Sequence, residues 1–193
     1  MVTSQSWKQA LDNFIVITGG PGSGKTTLID ALAAQGHGRT LEAGRAIIQA
    51  QVAIGGRALH WDDQTLFAEL MLAHEIRSYE ETRERQGLVF FDRSVVELFG
   101  YLRLVGRPVP PHFRRAAAAY RYNRLVFAAP PWREIFANDA ERRQDFAEAV
   151  RTHDHCVKSY REHGYEVVDL PKVSVAERAT FVLGAIEKRG QQN

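Results

Sequence analysis

The stretch from Phe14 to Leu28, FIVITGGPGSGKTTL, decides how this chain folds. It contains the pattern G-x-x-x-x-G-K-S/T, which here begins at Gly19 and ends at Thr26. The apolar residues before the pattern predict a parallel strand buried on both faces, and the apolar residues after it recur at helical intervals. A strand, a glycine-rich turn and a helix in this order are the context in which the pattern indicates a phosphate-binding loop.

The residues of this phosphate loop, Gly19–Thr26, are the types that a bound phosphate needs. Its glycines allow backbone angles that a Cβ would block, so consecutive N–H groups can point into one concavity. The helix that follows adds its positive N-terminal end. Lys25 is predicted to reach the β- and γ-phosphates, and the Thr26 hydroxyl is predicted to ligate Mg²⁺. We therefore expect a nucleoside triphosphate to bind to Gly20, Pro21, Gly22, Ser23, Gly24, Lys25, Thr26 and Thr27.

The composition is that of a globular protein. Its 193 residues suit one domain with a substantial core, and we expect residues 1–193 to form a single domain. No apolar run approaches the ~20 residues that a membrane helix needs, and we see no signal peptide. The single cysteine excludes an internal disulfide and fits a reducing compartment, so we expect a cytoplasmic protein. The net charge of +2 is too small to predict nucleic acid or a membrane as a partner.

Short apolar strands alternate with amphipathic helices along the chain, which predicts an α/β fold with a parallel sheet. Ligands bind such sheets at the carboxyl ends of the strands. We expect the second and third helices to bury Ile47, Ile48 and Val52, and Leu66, Phe67, Leu70, Met71 and Ile76, respectively. Strands are predicted at 14–17, 39–42, 88–91, 125–128 and 165–169. Helices are predicted at 25–34, 42–54, 64–85, 95–105, 112–121 and 141–163. The third is predicted to be capped by Asp62 or Asp63, and Ser174 is predicted to cap a closing helix.

Asp92 follows a strongly apolar strand and is a candidate ligand of Mg²⁺, opposite Thr26. It could also hydrogen-bond a substrate, or simply cap the end of the strand. Ring-forming ATPases carry two acidic residues at this point, the second of which activates water. This chain has Asp-Arg-Ser instead, and a basic residue at Arg93 suits an anionic substrate or the transferred phosphoryl group.

Glu42 and Arg45 follow the second predicted strand and are candidates for the binding site of a phosphoryl acceptor. At this spacing both would face the same way at the start of a helix. A carboxylate beside a substrate hydroxyl can act as a base or orient it, and the arginine can hold an anionic group. The alternative is a carboxylate favoured by the helix dipole and a surface arginine.

Residues 131–145 are polar and arginine-rich, and they are predicted to form a lid over the γ-phosphate. The alternative is a solvated helix start. The cluster His153, Asp154, His155 and Cys156 could suggest a metal, but two ligands on one helical face do not make a zinc site. We therefore expect a plain helix surface there. The candidate lid residues are Trp132, Arg133, Asp139, Arg142 and Arg143.

These motifs resemble those of the small P-loop kinases, and most closely the ATPase/kinase family that includes the ribosylnicotinamide kinase domain. LEAGR at 41–45 is similar to the Glu-x-x-Arg element of that domain, and FFDRS at 90–94 is similar to the element of thymidylate and deoxynucleoside kinases. The resemblance also covers the PPW-Asp-Arg segment of the predicted lid. It implies a three-layer fold with helices on both faces of a five-stranded sheet in the order 2-3-1-4-5. It also implies Mg-ATP as donor, with adenine near residues 171–174.

We therefore expect a kinase that moves the γ-phosphoryl of ATP to a small-molecule acceptor such as a nucleoside, a nucleotide or a related metabolite. The predicted catalytic residues are Lys25, Glu42, Asp92 and Arg142, and the predicted acceptor-binding residues are Glu42, Arg45, Arg93, Arg133 and Arg143. Two alternatives remain open. One is a regulatory nucleotide switch that acts through a protein partner, and the other is a toxin-type kinase that acts on a cell-wall nucleotide sugar.

Overall fold

The computed structural model describes residues 12–136 and 145–191. Its centre is a five-stranded sheet in which each neighbouring pair of strands is parallel. The order β2-β3-β1-β4-β5 is the predicted one. The strands are β1 (Phe14–Gly19), β2 (Gly38–Arg39), β3 (Val89–Asp92), β4 (Leu125–Ala129) and β5 (Glu166–Asp169).

Seven helices of the described residues cover the two faces of the sheet. They are α1 (Lys25–Ala34), α2 (Ala43–Ile54), α3 (Gln64–Thr82), α4 (Glu97–Leu104), α5 (Pro111–Ala119), α6 (Phe146–Glu162) and α7 (Val175–Gly190). α1 and α7 pack on the face that carries Ile15 and Ile17, whereas α2 to α6 share the core on the face of Phe14 and Val16. Because β1 is buried on both faces, its first four side chains, at 14–17, are apolar without alternation. The predicted three-layer fold is confirmed.

Side-chain caps fix the starts of three helices. Asp63 accepts a hydrogen bond from the Leu66 amide and Asp145 accepts one from the Glu148 amide. Ser174 and Glu177 form a reciprocal capping box at the start of α7. The predicted caps of α3 and α7 are thus confirmed. None of the helices in the described part of the chain is long and apolar enough to cross a membrane.

Three sequence-based expectations about burial or length were wrong. β2 spans Gly38–Arg39 instead of 39–42 because the chain leaves the sheet edge there, and Leu41 is exposed. Val52 is 59% exposed, since the buried part of α2 ends at Ile48. Leu66 is 42% exposed because it precedes the inward stripe of α3 that starts at Phe67.

The expectation of a plain surface around Cys156 was also wrong, because Cys156 is only 2% exposed. α6 lies so close to α4 that a Cβ on Gly100 would come within 2.9 Å of the His155 carbonyl oxygen. The absent side chain of Gly100 therefore lets the two helices approach, and the approach buries Cys156.

Candidate active site

The phosphate loop lies between β1 and α1 and folds around its own lysine. Lys25 is 4% exposed, and its Nζ donates a hydrogen bond to the Gly20 carbonyl at 2.9 Å. The Ser23 hydroxyl donates to the same carbonyl at 2.8 Å. Gly22 and Gly24 adopt the left-handed conformation, with φ of 68° and 77°. The loop thus brings a cation and the N-terminus of α1 together, an arrangement suited to an anion.

The first turn of α6 packs directly against this loop. A Cβ on Gly20 would lie 2.3 Å from the Ala149 carbonyl oxygen, so only glycine fits at position 20. On the other side, a Cβ on Gly22 would meet the Phe136 ring at 2.6 Å. The loop is therefore held between α6 and the segment that follows β4.

Thr26 and Asp92 lie together at the carboxyl ends of β1 and β3. The Thr26 hydroxyl donates to Asp92 Oδ2 at 3.1 Å. Asp92 is 2% exposed, and its other oxygen, Oδ1, is buried and accepts no hydrogen bond from the described part of the chain. Burial raises the pKa of the Asp92 carboxyl, and the charge of Lys25 opposes that shift. A hydroxyl beside a carboxylate oxygen that lacks a partner is a donor set that fits Mg²⁺.

Arg93 is held between two carboxylates next to Asp92. Its Nε donates to Glu42 Oε1 at 3.1 Å, and its Nη1 pairs with Glu97. Burial lowers the pKa of this guanidinium, but the charges of Glu97 and Glu42 outweigh burial and hold the pKa well above its usual value. Glu42 and Arg93, which the sequence places 51 residues apart, are therefore brought into contact.

Sequence reasoning missed two buried acids of this cluster, Glu97 and Glu75. Glu97 accepts hydrogen bonds from Thr18 at 2.6 Å and from Tyr160 at 3.1 Å, besides its pair with Arg93. Glu75 is 3% exposed on the apolar stripe of α3, and burial raises its pKa well above the usual value. Both had a signal in the sequence, because Glu97 lies one helical turn after Arg93 and Glu75 interrupts an inward-facing stripe.

The other predicted site residues have different surroundings. Arg45 lies in the first turn of α2 and is exposed, whereas the Glu42 side chain is 13% exposed. Arg133 is exposed, and its guanidinium lies 4.2 Å from the ring centroid of Phe146. Asp139, Arg142 and Arg143 lie outside the described residues. Within the described part, no three His, Cys, Asp or Glu residues cluster so as to hold a metal by themselves.

The chain matches a family model described as an AAA domain over residues 14–178. A search of curated proteins finds no match. Among solved structures, NadR in complex with NR has a TM-score of 0.71 and 19% identity, covering 94% of this chain and 52% of NadR. NadR in complex with NAD and AMP-PNP has a TM-score of 0.65 and 20% identity, covering 94% of this chain and 50% of that one. This chain thus spans about half the length of NadR.

A second kind of solved structure has the same fold. Deoxyadenosine kinase from M. mycoides, with dCMP and dCDP bound, has a TM-score of 0.64 and 11% identity. The match covers 91% of this chain and 99% of that kinase. Identities this low show only a shared fold. The family match shows that the chain belongs to the AAA-domain family, and its fold is the one that these NadR and deoxyadenosine kinase structures share.

Proposed function

We propose that this protein is a kinase that transfers the γ-phosphoryl group of Mg-ATP to a small molecule. One observation carries the proposal: Arg93, which directly follows Asp92, pairs with Glu42, so polar groups from three neighbouring strand ends meet beside the phosphate loop. Ring-forming ATPases carry a second, water-activating acid after the first, and the residue after Asp92 is basic instead. The Glu42–Arg93 pair favours an acceptor that carries both a hydroxyl and an anionic or polar group.

Each residue has a role in this proposal. Lys25 neutralises charge on the transferred phosphoryl group, and Thr26 and Asp92 hold Mg²⁺. The ion pair with Arg93 fixes the Glu42 carboxylate, which then orients or deprotonates the acceptor hydroxyl. Mg²⁺, when bound, supplies charge neutralisation at the phosphate oxygens.

A cavity of about 270 Å³ that is lined by residues of α3, α4 and α6 is our proposed entrance for the acceptor. Two of its lining residues connect it to the site. Tyr101 lies one turn after Glu97 on α4, and Glu148 adjoins Ala149, whose carbonyl touches the phosphate loop. Arg45 is proposed to hold an anionic group of the acceptor.

Residues 131–145 are proposed as a lid of this single domain. Its described part already lies on the phosphate loop, since Phe136 contacts Gly22 and Ile135 lies beside Gly24. The lid would bring arginines to the charge that develops during transfer, namely Arg133, Arg142 and Arg143.

The choice of acceptors to test follows from the fold relatives. NadR binds NR, and the deoxyadenosine kinase binds dCMP and dCDP. Nucleosides, nucleotides, nucleotide sugars and cofactor precursors should therefore be screened for ADP formation above the rate without acceptor. Lys25→Ala serves as the inactive control and should lose about 10²- to 10³-fold in turnover. A rate that no acceptor raises, together with a tight protein partner, would contradict the kinase and favour the regulatory switch.

A second measurement tests the metal site. Asp92→Asn should raise the Mg²⁺ concentration needed for half-maximal turnover, because a carboxylate ligand is replaced by a neutral amide. The same Mg²⁺ dependence in wild type and variant would remove Asp92 from the metal site without affecting the proposal for Lys25.

A further inference from the structure

Arg178 is a buried arginine with an unused hydrogen-bonding edge beside the phosphate loop. It lies in the first turn of α7 and is 1% exposed. Its Nη1 donates to the Ser23 carbonyl at 3.2 Å, and a Cβ on Gly24 would lie 3.0 Å from the same nitrogen. Its Nε and Nη2, which form one side of the guanidinium fork, are buried without a hydrogen-bond partner among the residues that the structure describes.

Within residues 12–136 and 145–191, no acid compensates the charge of Arg178. Burial lowers the pKa of its guanidinium, and no carboxylate of these residues opposes that shift. Arg121, which is also 1% exposed and also has no carboxylate acting on its pKa among the described residues, differs in its hydrogen bonds and ring contact. It donates to the carbonyls of Ala117 and His163 and stacks on the Tyr165 ring at 4.3 Å. Burying a cation without a counter-charge costs free energy, so the position of Arg178 calls for an anion.

We propose that Arg178 binds the phosphate chain of the nucleotide through Nε and Nη2. The two parallel N–H donors match two oxygens of a phosphate, and the phosphate supplies the missing negative charge. Ser23 and Gly24 immediately precede α1, so the guanidinium adds to the positive end of that helix. This inference rests on the proposed function only in that a nucleotide occupies the phosphate loop.

The nucleotide reaches this edge only if the segment from Trp132 to Phe136 shifts. The guanidinium lies 5.8 Å from the ring centroid of Trp132, and the Ile135 side chain lies beside Gly24. A phosphate bound in the plane of the guanidinium leaves its faces available, so Trp132 can return to stack on Arg178 afterwards.

The test is isothermal titration of ATP, ADP, AMP and adenosine into wild type, Arg178→Gln, Arg178→Lys and Arg121→Gln. Arg178→Gln should weaken ATP binding about 10- to 100-fold, the usual range for a charged hydrogen-bonding pair. Arg178→Lys should fall between it and wild type, because the charge stays but the fork is lost. Arg121→Gln should bind ATP like wild type, and adenosine should bind Arg178→Gln as it binds wild type.

Wild-type ATP affinity in folded Arg178→Gln would overturn the inference and leave Arg178 as a clamp on Ser23. If the glutamine variant does not fold, the Nε–Hε NMR signal of Arg178 in the wild-type protein decides instead. A shift on addition of ATP but not adenosine supports the contact, and an unchanged signal overturns it. A wild-type protein that binds no nucleotide would overturn the proposed function as well, so the two failures are distinguishable.

Discussion

The backbone of Arg93 is unusual for its side chain. Its φ is 80°, and it is the only described residue other than glycine with a positive φ. This conformation costs an L-residue about 1–2 kcal/mol, so surrounding contacts must hold it. Those contacts are ion pairs with two carboxylates, of Glu42, which precedes Arg93 in the sequence, and of Glu97, which follows it. Strain at a site of buried charges is typical of functional positions.

Glu97 should therefore be a positioning residue, because removing its carboxylate leaves the Arg93 side chain less firmly held. We expect Glu97→Gln to lower the free energy of unfolding by about 3 kcal/mol, the low end for breaking a buried pair, because Glu42 still pairs with Arg93. The control is Glu81→Gln, which breaks an exposed pair with Arg77 and should leave the free energy of unfolding almost unchanged. Urea unfolding measures both. Equal effects would show that the buried network contributes no more than a surface pair.

If Glu97 positions Arg93, the same variant should also bind the acceptor less tightly while ATP affinity stays unchanged. A merely structural role would leave the acceptor KM as in wild type in molecules that remain folded. Comparing the acceptor KM with the ATP affinity, both measured below the unfolding transition, separates a positioning role from a purely structural role.

Glu75 should make stability depend on pH. Burial and the nearby charges of Glu97 and Asp92 raise its pKa in the folded protein, although Arg93 opposes them. The folded state then holds a proton that the unfolded state releases, so stability falls as pH rises above the ordinary pKa of glutamate, near 4.5. Glu75→Gln removes this loss. We expect it to add about 1–3 kcal/mol to the free energy of unfolding at pH 8 and almost nothing at pH 4.

Glu81→Gln is the control here as well, because Glu81 is exposed on the same helix. Urea unfolding from pH 4 to 9 gives the comparison. A Glu75→Gln variant that is less stable than wild type at pH 8 would show that the carboxylate is charged and well paired in the folded protein.

The strands and helices were predictable from the sequence wherever a segment carries a clear apolar pattern or a clear cap. β1 and β3 were predictable because each contains an uninterrupted apolar run, 14–17 and 89–91, and α3 and α7 were predictable because their caps stand directly before the helix. β2 was placed too late because an edge strand of two residues carries almost no pattern. Pairings between distant residues were not predictable. Nothing local in the sequence shows that Glu97 touches Thr18, or that Arg178 reaches Ser23 across 155 positions.

The approach of α4 to α6 depends on one missing side chain, and a pair of glycine substitutions tests this. Gly100→Ala should lower the free energy of unfolding by about 1–3 kcal/mol, because the new methyl group meets the backbone of His155 and Cys156. Gly184 in α7 has no atom within 4 Å of a new Cβ. Gly184→Ala should therefore raise stability by about 0.5–1 kcal/mol through helix propensity alone. If Gly100→Ala raised the free energy of unfolding as Gly184→Ala does, α6 could move away from α4 without a loss of stability.

At the scale of the whole molecule, the order of the strands explains how the site is assembled. β1 lies between β3 and β4, so the phosphate loop lies next to Asp92 and Arg93 on one side and the segment after β4 on the other. β2 at the edge brings Glu42 to the Arg93 side. α7, after the last strand, returns to the loop through Arg178. The proposed acceptor residues Glu42 and Arg93 and the described part of the proposed lid thus lie on opposite sides of the phosphate loop.

This arrangement gives a test of the lid that does not depend on finding the acceptor. The described part, Trp132–Phe136, contacts the loop through side chains and holds no regular secondary structure, which is typical of segments that open at low free energy. If nucleotide and Mg²⁺ draw it closed, its backbone amides should exchange more slowly with AMP-PNP and Mg²⁺ than without them. β4, which is fully buried just before it, is the internal control and should change little.

Hydrogen exchange followed by mass spectrometry measures both peptides in one sample. The slower exchange should depend on nucleotide held in the phosphate loop. AMP-PNP and Mg²⁺ should therefore slow the exchange of this segment less in Lys25→Ala than in wild type. Arg178→Gln should lose part of this slowing, if Trp132 stacks on the bound guanidinium. Equal protection of 131–136 with and without nucleotide would make the segment a fixed wall of the site, and the arginines that follow it would then have to act without closure.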